Sequence, residues 1–303
     1  LVNMAGAVSW IRWFQEKTLG LSAKRPLPSW STAAWREPDV DHAGDGKLGE
    51  VVLFADTFNR YFEPENIRAA ETVLKKLGYS VSYIRPPGGG RPACCGRTLL
   101  STGFIDEARA ESARFLEAVM PAIRRGATLV GLEPSCLFSM RDEFSAMHQG
   151  DDVRRLAEQS LMFEEFLMRE AKAGRIKGPI ARLAGEVLVH GHCHQKSFGA
   201  AGSVVDAFGL IEGAKAEMVE SSCCGMAGSF GYQAETYDTS VAMGELDLLP
   251  AVRAASQDTV IAADGFSCRH QIRDLSGREA RHTARIIADA MAGDGANTDN
   301  SDG

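Results

Sequence analysis

The chain carries the tripeptide Cys-Cys-Gly twice, at Cys94-Cys95-Gly96 in RPACCGRTLL and at Cys223-Cys224-Gly225 in SSCCGMAGSF, and the stretches around the two copies repeat as well. Residues 51–57, VVLFADT, lie over residues 187–193, VLVHGHC, which sets Thr57 on Cys193. Farther along, TLVGLEPSC (128–136) lies over TVIAADGFSC (259–268), which sets Cys136 on Cys268. Each of these runs is short, apolar and closed by a polar turn, the pattern of a buried parallel strand. Between them lie PENIRAAETVLKKLG (64–78), ending in a Gly cap, and IDEARAESARFLEAVMPAIRRG (105–126), with apolar residues recurring at three and four. Strand and helix therefore alternate. The expected fold is α/β: two duplicated Cys-Cys-Gly units with small parallel sheets flanked by helices, plus an N-terminal helical segment. The cysteines then fall on loops at the carboxyl ends of strands, where open α/β sheets place their sites.

The division this predicts is an N-terminal helix and Pro/Ser/Trp-rich linker over 1–46, a first unit over 47–150 and a helical connection over 151–183. A second unit follows over 184–291. The Gly/Asp/Asn-rich end, 292–303, reads as a disordered tail. With 303 residues, 45% of them hydrophobic, the chain can bury a substantial core. A net charge of −7 and no Lys/Arg block longer than a doublet give no support to a nucleic-acid or polybasic membrane footprint. No apolar run approaches the roughly 18 residues of a transmembrane helix, and the opening LVNMAGAVSWIRWFQEK lacks a signal-peptide pattern. A cytoplasmic protein, or one peripheral to the inner membrane face, is expected. The chain starts at Leu1 and carries Trp10, Ile11, Trp13 and Phe14 with no evident cover. It reads as a piece of something longer, with WIRWF a docking helix for a further domain rather than a membrane anchor, since its basic content is low.

Seven cysteines clustered at motif positions fit reduced thiols better than a disulfide framework. Adjacent cysteines point to opposite faces of an extended chain. They suit a loop wrapped around a metal at a sharp turn, with Gly supplying a backbone conformation closed to other residues. The second unit offers Cys193, Cys223, Cys224 and Cys268, the complement of a cubane iron–sulfur cluster or of a structural zinc. The close C-x2-C pairs usual for zinc are absent, which favours a cluster bridging separate loops and leaves zinc open. The first unit offers Cys94, Cys95 and Cys136, with Thr57, beside Asp56, in the fourth place. That set is compatible with no metal, with a cluster holding a non-cysteine ligand or an open iron, or with a ligand from elsewhere. In HGHCHQKS, His190, His192 and His194 alternate around Cys193. Facing one side, they would ligate a metal, hydrogen-bond cluster sulfurs, couple protons to electron transfer, or simply satisfy a loop. Lys196 would lend charge to an anionic cluster or a substrate carboxylate, or stay in solvent. Gly225, Gly228 and Gly231 lack the G-x-G-x-x-G spacing of a dinucleotide site, and there is no P-loop or nucleophile elbow.

The phrases HGHCHQKS, SSCCGMAGSFGY, LLPAVRAA and ADGFSCRHQI resemble the cysteine-rich CCG-domain family. That family includes a cysteine-rich component of heterodisulfide reductase and the iron–sulfur subunits of glycolate oxidase and anaerobic glycerol-3-phosphate dehydrogenase. The resemblance, over residues 1–291, is nearest the carboxyl-terminal part of fused proteins that join an FAD-linked oxidase, a ferredoxin-like module and a CCG pair. It implies an iron–sulfur cluster of the [4Fe-4S] type bound at Cys193, Cys223, Cys224 and Cys268, with Cys94, Cys95 and Cys136 at the matching first-unit positions. His192, His194 and Lys196 would support the site. It further implies FAD in an upstream domain, with that flavin-containing dehydrogenase domain and the ferredoxin-like module as partners. The implied activity is electron transfer within an enzyme oxidising a D-2-hydroxy acid such as lactate, glycolate or 2-hydroxyglutarate. Glu133 and Gly265 stand where a C-x-x-C would place its first cysteine, so one four-thiolate cluster is expected rather than the non-cubane double cluster of five-cysteine members. A zinc-stabilised or metal-free interaction module is the alternative.

Overall fold

Among the described residues, eight strands form two sheets of the same topology. The computed structural model describes residues 3, 6, 8–38 and 44–298. β1 (Glu50–Leu53), β2 (Ser80–Tyr83), β3 (Thr128–Gly131) and β4 (Ser160–Met162) lie in the order β2-β1-β3-β4. β5 (Ala181–His190), β6 (Ile211–Met218), β7 (Val260–Ala263) and β8 (Ala280–Arg281) lie in the order β6-β5-β7-β8. Every pairing is parallel. The registers repeat too: Val51 pairs with Val81 and Thr128, and Val187 with Ala216 and Val260. The duplicated α/β architecture is thus the observed one.

Short strands suffice because both faces of each sheet are covered. Side chains alternate across a strand, so Val51 and Leu53 face one core while Val52 faces another. The first core is common to both units: Leu53, Val130, Phe163 and Phe166 meet Val187, Val189, Phe208 and Ile287. At about 1.5–3 kcal/mol for each large apolar side chain fully buried, this shared layer binds the units into one body. Helix Thr283–Thr298, at the end of the second unit, packs on helix Pro64–Lys76 of the first, and helix Phe163–Lys172 packs on Gly202–Phe208. The outer face of each sheet has its own core. One contains Phe54, Phe115, Phe138, Cys95 and Cys136; the other contains Leu248, Ile261, Ile272, Cys224 and Cys268.

Two expected boundaries shift. Segment 151–183, read as a helical connection, contains β4 between helices Asp151–Gln159 and Phe163–Lys172, and β5 already begins at Ala181. Three residues are too few to show a period of two, and only pairing with β3 defines the strand. Residues 292–298, assigned to the tail, belong to helix Thr283–Thr298; residues 299–303 lie outside the described residues, as do Leu1 and 39–43. At the other end, helix Ser9–Leu19 closes on left-handed Gly20 and leaves Trp10, Trp13 and Phe14 exposed. The following residues run onto the second unit, where Leu21 bridges Gln233. No described helix is long and apolar enough to cross a membrane.

Candidate metal centre

Cysteines gather where strands end. After β5 the chain turns at Gly191 into helix Cys193–Ser197, capped by His192, whose Nδ1 accepts the His194 N–H at 3.1 Å. Asp56 does the same after β1, accepting from the backbone N–H groups of Phe58 and Asn59 at 2.9 and 3.1 Å, which places Thr57 at the start of helix Thr57–Tyr61. Cys136 and Cys268 lie in the first turns of helices Pro134–Arg141 and Phe266–Ser276, which follow β3 and β7. The Cys-Cys-Gly loops follow β2 and β6. Both turn on left-handed glycines, Gly96 at φ +75° and Gly225 at φ +89°. A Cβ on Gly225 would stand 2.2 Å from the Ser240 carbonyl oxygen, and one on Gly96 3.1 Å from that of Ala108, so a side chain is excluded by both strain and contact.

In the second unit the thiols contact one another in sequence, Cys193 to Cys223, Cys223 to Cys224 and Cys224 to Cys268. Hydrogen bonds from Cys193 and then Cys224 pull the Cys223 thiol far below its ordinary value, and the Gly225 N–H donates to its Sγ at 3.3 Å. The bond from Cys224, helped by His190 and His192, holds Cys268 low despite burial. Cys193 and Cys224 are pushed up, each first by its bond to Cys223. The array therefore favours the thiolate at Cys223 and Cys268, the form in which cysteine binds a metal, and metal binding would release the thiol protons.

The three histidines do not share one side, as their alternation suggested. His190, still in β5, turns its ring toward Cys224 and Cys268, with the ligand atoms of all three within 4.8 Å, and its Nδ1 lies 3.1 Å from Ser221 Oγ. His192 and His194 instead group with Cys193, their ring centroids 5.1 Å apart. The cause is the helix beginning at Cys193, which ends the strand period. Burial lowers the His192 pKa, and burial together with His192 and Arg97 lowers that of His194 to about 4, so both are neutral donors or acceptors near neutral pH. Lys196 is partly buried, and its Nζ donates to the carbonyls of Ser221 and Ser222, pinning the stretch before Cys223. Burial lowers its pKa, opposed by the field of the four cysteines of this unit.

The first unit assembles a parallel group with opposite electrostatics. Cys94 contacts Cys95 and the Thr57 hydroxyl, and Cys95 contacts Cys136. Cys94 and Cys95 are raised, first by their bonds to Cys95 and Cys136 respectively. The Cys95 bond favours the Cys136 thiolate, but burial and the carboxyls of Asp56 and Glu133 push that thiol to about 12. Position by position, Phe54, Asp56, Thr57 and Glu133 occupy the places of His190, His192, Cys193 and Gly265. Two imidazoles that favour thiolates are thereby exchanged for an aromatic ring and a carboxyl, and a second carboxyl is added.

Glu133 also joins the two units. One carboxyl oxygen accepts from the Ser135 hydroxyl at 2.6 Å, the other from the Phe266 N–H at 2.8 Å, at the start of the helix bearing Cys268. Burial, then Asp56, raises its pKa to about 7. A cavity of about 420 Å³ reaches both groups and is lined by Cys136, Cys193, Cys223, His192 and Arg97. Arg97, directly after the first Cys-Cys-Gly, places a guanidinium nitrogen 3.3 Å from His194 Nε2. Neither Arg97 nor the bridging role of Glu133 was expected from the sequence. The signal for Glu133 was present, as an acidic residue directly before Pro134 is a helix N-cap pattern, but its partner Phe266 is remote in sequence.

The residues of the second unit fit a four-thiolate centre. Its four sulfurs follow one another through thiol contacts, and Cys223 and Cys268 are drawn toward the thiolate form that a metal takes. The place of a fifth cysteine is closed: a Cβ on Gly265 would stand 2.3 Å from the His192 ring.

The chain is 25% identical over 295 residues to a subunit of the anaerobic glycerol-3-phosphate dehydrogenase of Escherichia coli (strain K12), covering 96% of this chain and 72% of that subunit. It is 24% identical over 298 residues to D-2-hydroxyglutarate dehydrogenase of the same organism, covering 93% of this chain and 27% of that enzyme. The Pseudomonas putida enzyme of that name is 26% identical over 239 residues, 78% of this chain and 22% of its own length. The chain thus spans most of the first relative and about a quarter of the others. No protein-family model matches it.

Proposed function

We propose that this chain is the iron–sulfur electron-transfer portion of an FAD-linked oxidoreductase that oxidises a D-2-hydroxy acid of the lactate, glycolate or 2-hydroxyglutarate type. The convergence of Cys193, Cys223, Cys224 and Cys268 carries the reading. These residues would hold one [4Fe–4S] cluster, which when bound supplies a one-electron site between flavin and a further acceptor. The chain's own part is to fix and tune that centre. The two Gly turns and the helices starting at Cys193 and Phe266 set the sulfur positions. His190 and Lys196 lend hydrogen bonds and positive charge to sulfur, which favour the reduced, more anionic state. Neutral, half-buried His194 and the cavity beside exposed Cys193 leave that edge open to an electron-exchange partner.

A flavin-containing dehydrogenase domain and a ferredoxin-like module are the proposed partners, in the cytoplasm or at the inner membrane face. The relatives support an oxidoreductase component, and their names divide between a glycerol phosphate and a hydroxy acid; the HGHCHQKS and ADGFSCRHQI phrases favour the latter. The test is anaerobic purification or reconstitution, with iron and sulfide analysis and EPR of the reduced protein. About four iron and four sulfide per chain with a reduced-cluster signal are expected. Equimolar zinc without iron–sulfur absorbance, or no metal after reconstitution, would overturn the reading. The substrate is tested by reducing the cluster through the flavoprotein partner with D-2-hydroxyglutarate, D-lactate or glycerol 3-phosphate; reduction by the phosphate alone would reassign it.

A further inference from the structure

The two Cys-Cys-Gly loops are braced differently. In the first unit the brace is internal: Glu111, on helix Ile105–Arg124, accepts the Cys94 N–H at 3.1 Å and is itself held by Arg91 and Arg114. That helix packs its backbone at Ala108 against Gly96, and helix Tyr237–Leu246 packs Ser240 against Gly225 in the same way. Three residues on from these contacts stand Glu111 and Met243. The second unit therefore has methionine where the first has its carboxylate, and the loop after Cys224 contains Ala227 at φ +39°, a conformation that costs energy for any residue but glycine.

What holds this loop comes from outside both units. Arg25, from the segment after helix Ser9–Leu19, is only 2% exposed. Its guanidinium donates to the Met226 sulfur at 2.7 Å, to the Gly231 carbonyl at 2.9 Å and to the Gln271 side-chain oxygen, and its Nε lies 3.5 Å from Asp274. The Tyr237 ring lies beneath it at 5.2 Å. Met226 is two residues beyond Cys224 and Gln271 three beyond Cys268, so one side chain ties together two elements that carry sulfur ligands. Gln271 passes the constraint on by donating to the Ser240 carbonyl, the atom against which Gly225 turns. The main chain docks alongside, with the Ser22 N–H donating to Tyr232 O and the Ala234 N–H to Gly20 O, both at 2.7 Å.

We propose that Arg25 is a positioning residue of the second cysteine site, and that the N-terminal segment 20–26 is a working part of that site, replacing the internal carboxylate brace of the first unit. This rests on the four cysteines holding a metal centre. Arg25 acts through the loop and the helix, fixing Cys223, Cys224 and Cys268 relative to one another.

The test uses the full chain, reconstituted anaerobically with ferrous iron and sulfide, in wild-type, Arg25→Met and Ser22→Pro forms. Arg25→Met removes every donor while keeping an apolar stem, and Ser22→Pro leaves Arg25 in place but removes the main-chain bond to Tyr232 and the bond that the Ser22 hydroxyl accepts from the Lys24 N–H. Iron loss to a ferrous chelator is expected to be faster on the order of ten-fold in Arg25→Met, with a broadened or shifted EPR signal, and faster by a smaller factor in Ser22→Pro. If Arg25→Met does not fold by circular dichroism, Ser22→Pro gives the answer alone. Wild-type chelation rates and line shape in the folded variants would overturn the proposal. Should the wild-type chain take up no iron, the cluster reading fails, and the brace is read in the metal-free protein by alkylation of each thiol. Faster labelling of Cys223 and Cys224 in the variants, with Cys94 and Cys95 unchanged, would then support it, and unchanged labelling would overturn it.

Discussion

Glu133 shows how much one substitution within a duplicated frame can alter. It stands where the resemblance placed a cysteine, yet it accepts hydrogen bonds at the starts of both cysteine-bearing helices. Its folded pKa of about 7 lies above the roughly 4.3 of an unfolded glutamate. At this carboxyl the folded state therefore binds more protons between these values, which lowers stability as pH rises through that window, while His192 and His194, whose pKa values burial lowers, act in the opposite sense below about 6.5. Urea unfolding of the metal-free protein from pH 4.5 to 8 is expected to show Glu133→Gln gaining stability relative to wild type as pH rises. Asp56 and Glu164, also buried and pushed up, act in the same sense as Glu133 in both proteins and cancel in the comparison. A Glu133→Gln profile as steep as wild type would place the carboxyl's charge elsewhere. In the second unit the instructive residue is His190. Its position beside Cys193 was plain in the sequence, but that it faces Cys224 and Cys268 follows from where β5 ends.

The two units share strand order, register and the pairing of Gly turn with helix, and differ in what fills equivalent positions. Duplication was readable because the strand-to-cysteine landmarks survive in order, and with them the parallel sheets and the helices over 64–78 and 105–126. β4 was not readable, since three residues between helices carry no period. The electrostatic contrast between the units separates their chemistry: in one, imidazoles and thiol donors stabilise thiolates, while in the other carboxyls oppose them. Cys268→Ser is therefore expected to abolish iron uptake on reconstitution, while Cys136→Ser leaves iron and sulfide per chain unchanged. Equal losses from both variants would mean that the first group holds metal too.

The molecule as a whole is held by a core that neither unit owns. Trp35 lies in it against Tyr83, and helix Thr283–Thr298 spans from the second unit to helix Pro64–Lys76 of the first. Unfolding of the metal-free chain in urea is expected as one transition, with tryptophan fluorescence and far-UV circular dichroism giving the same midpoint. Two separated midpoints would show that the units are independent domains. By itself the sequence determined the duplicated α/β plan, the complete thiol set of the second unit and the incomplete one of the first, because residue identity, period and order are local properties. Only the tertiary structure decided that the two groups open on one cavity, that Glu133 links their helices and that Arg25 braces the second loop. Those contacts join residues far apart in the chain, and nothing in local pattern specifies which distant partner a buried charge will meet.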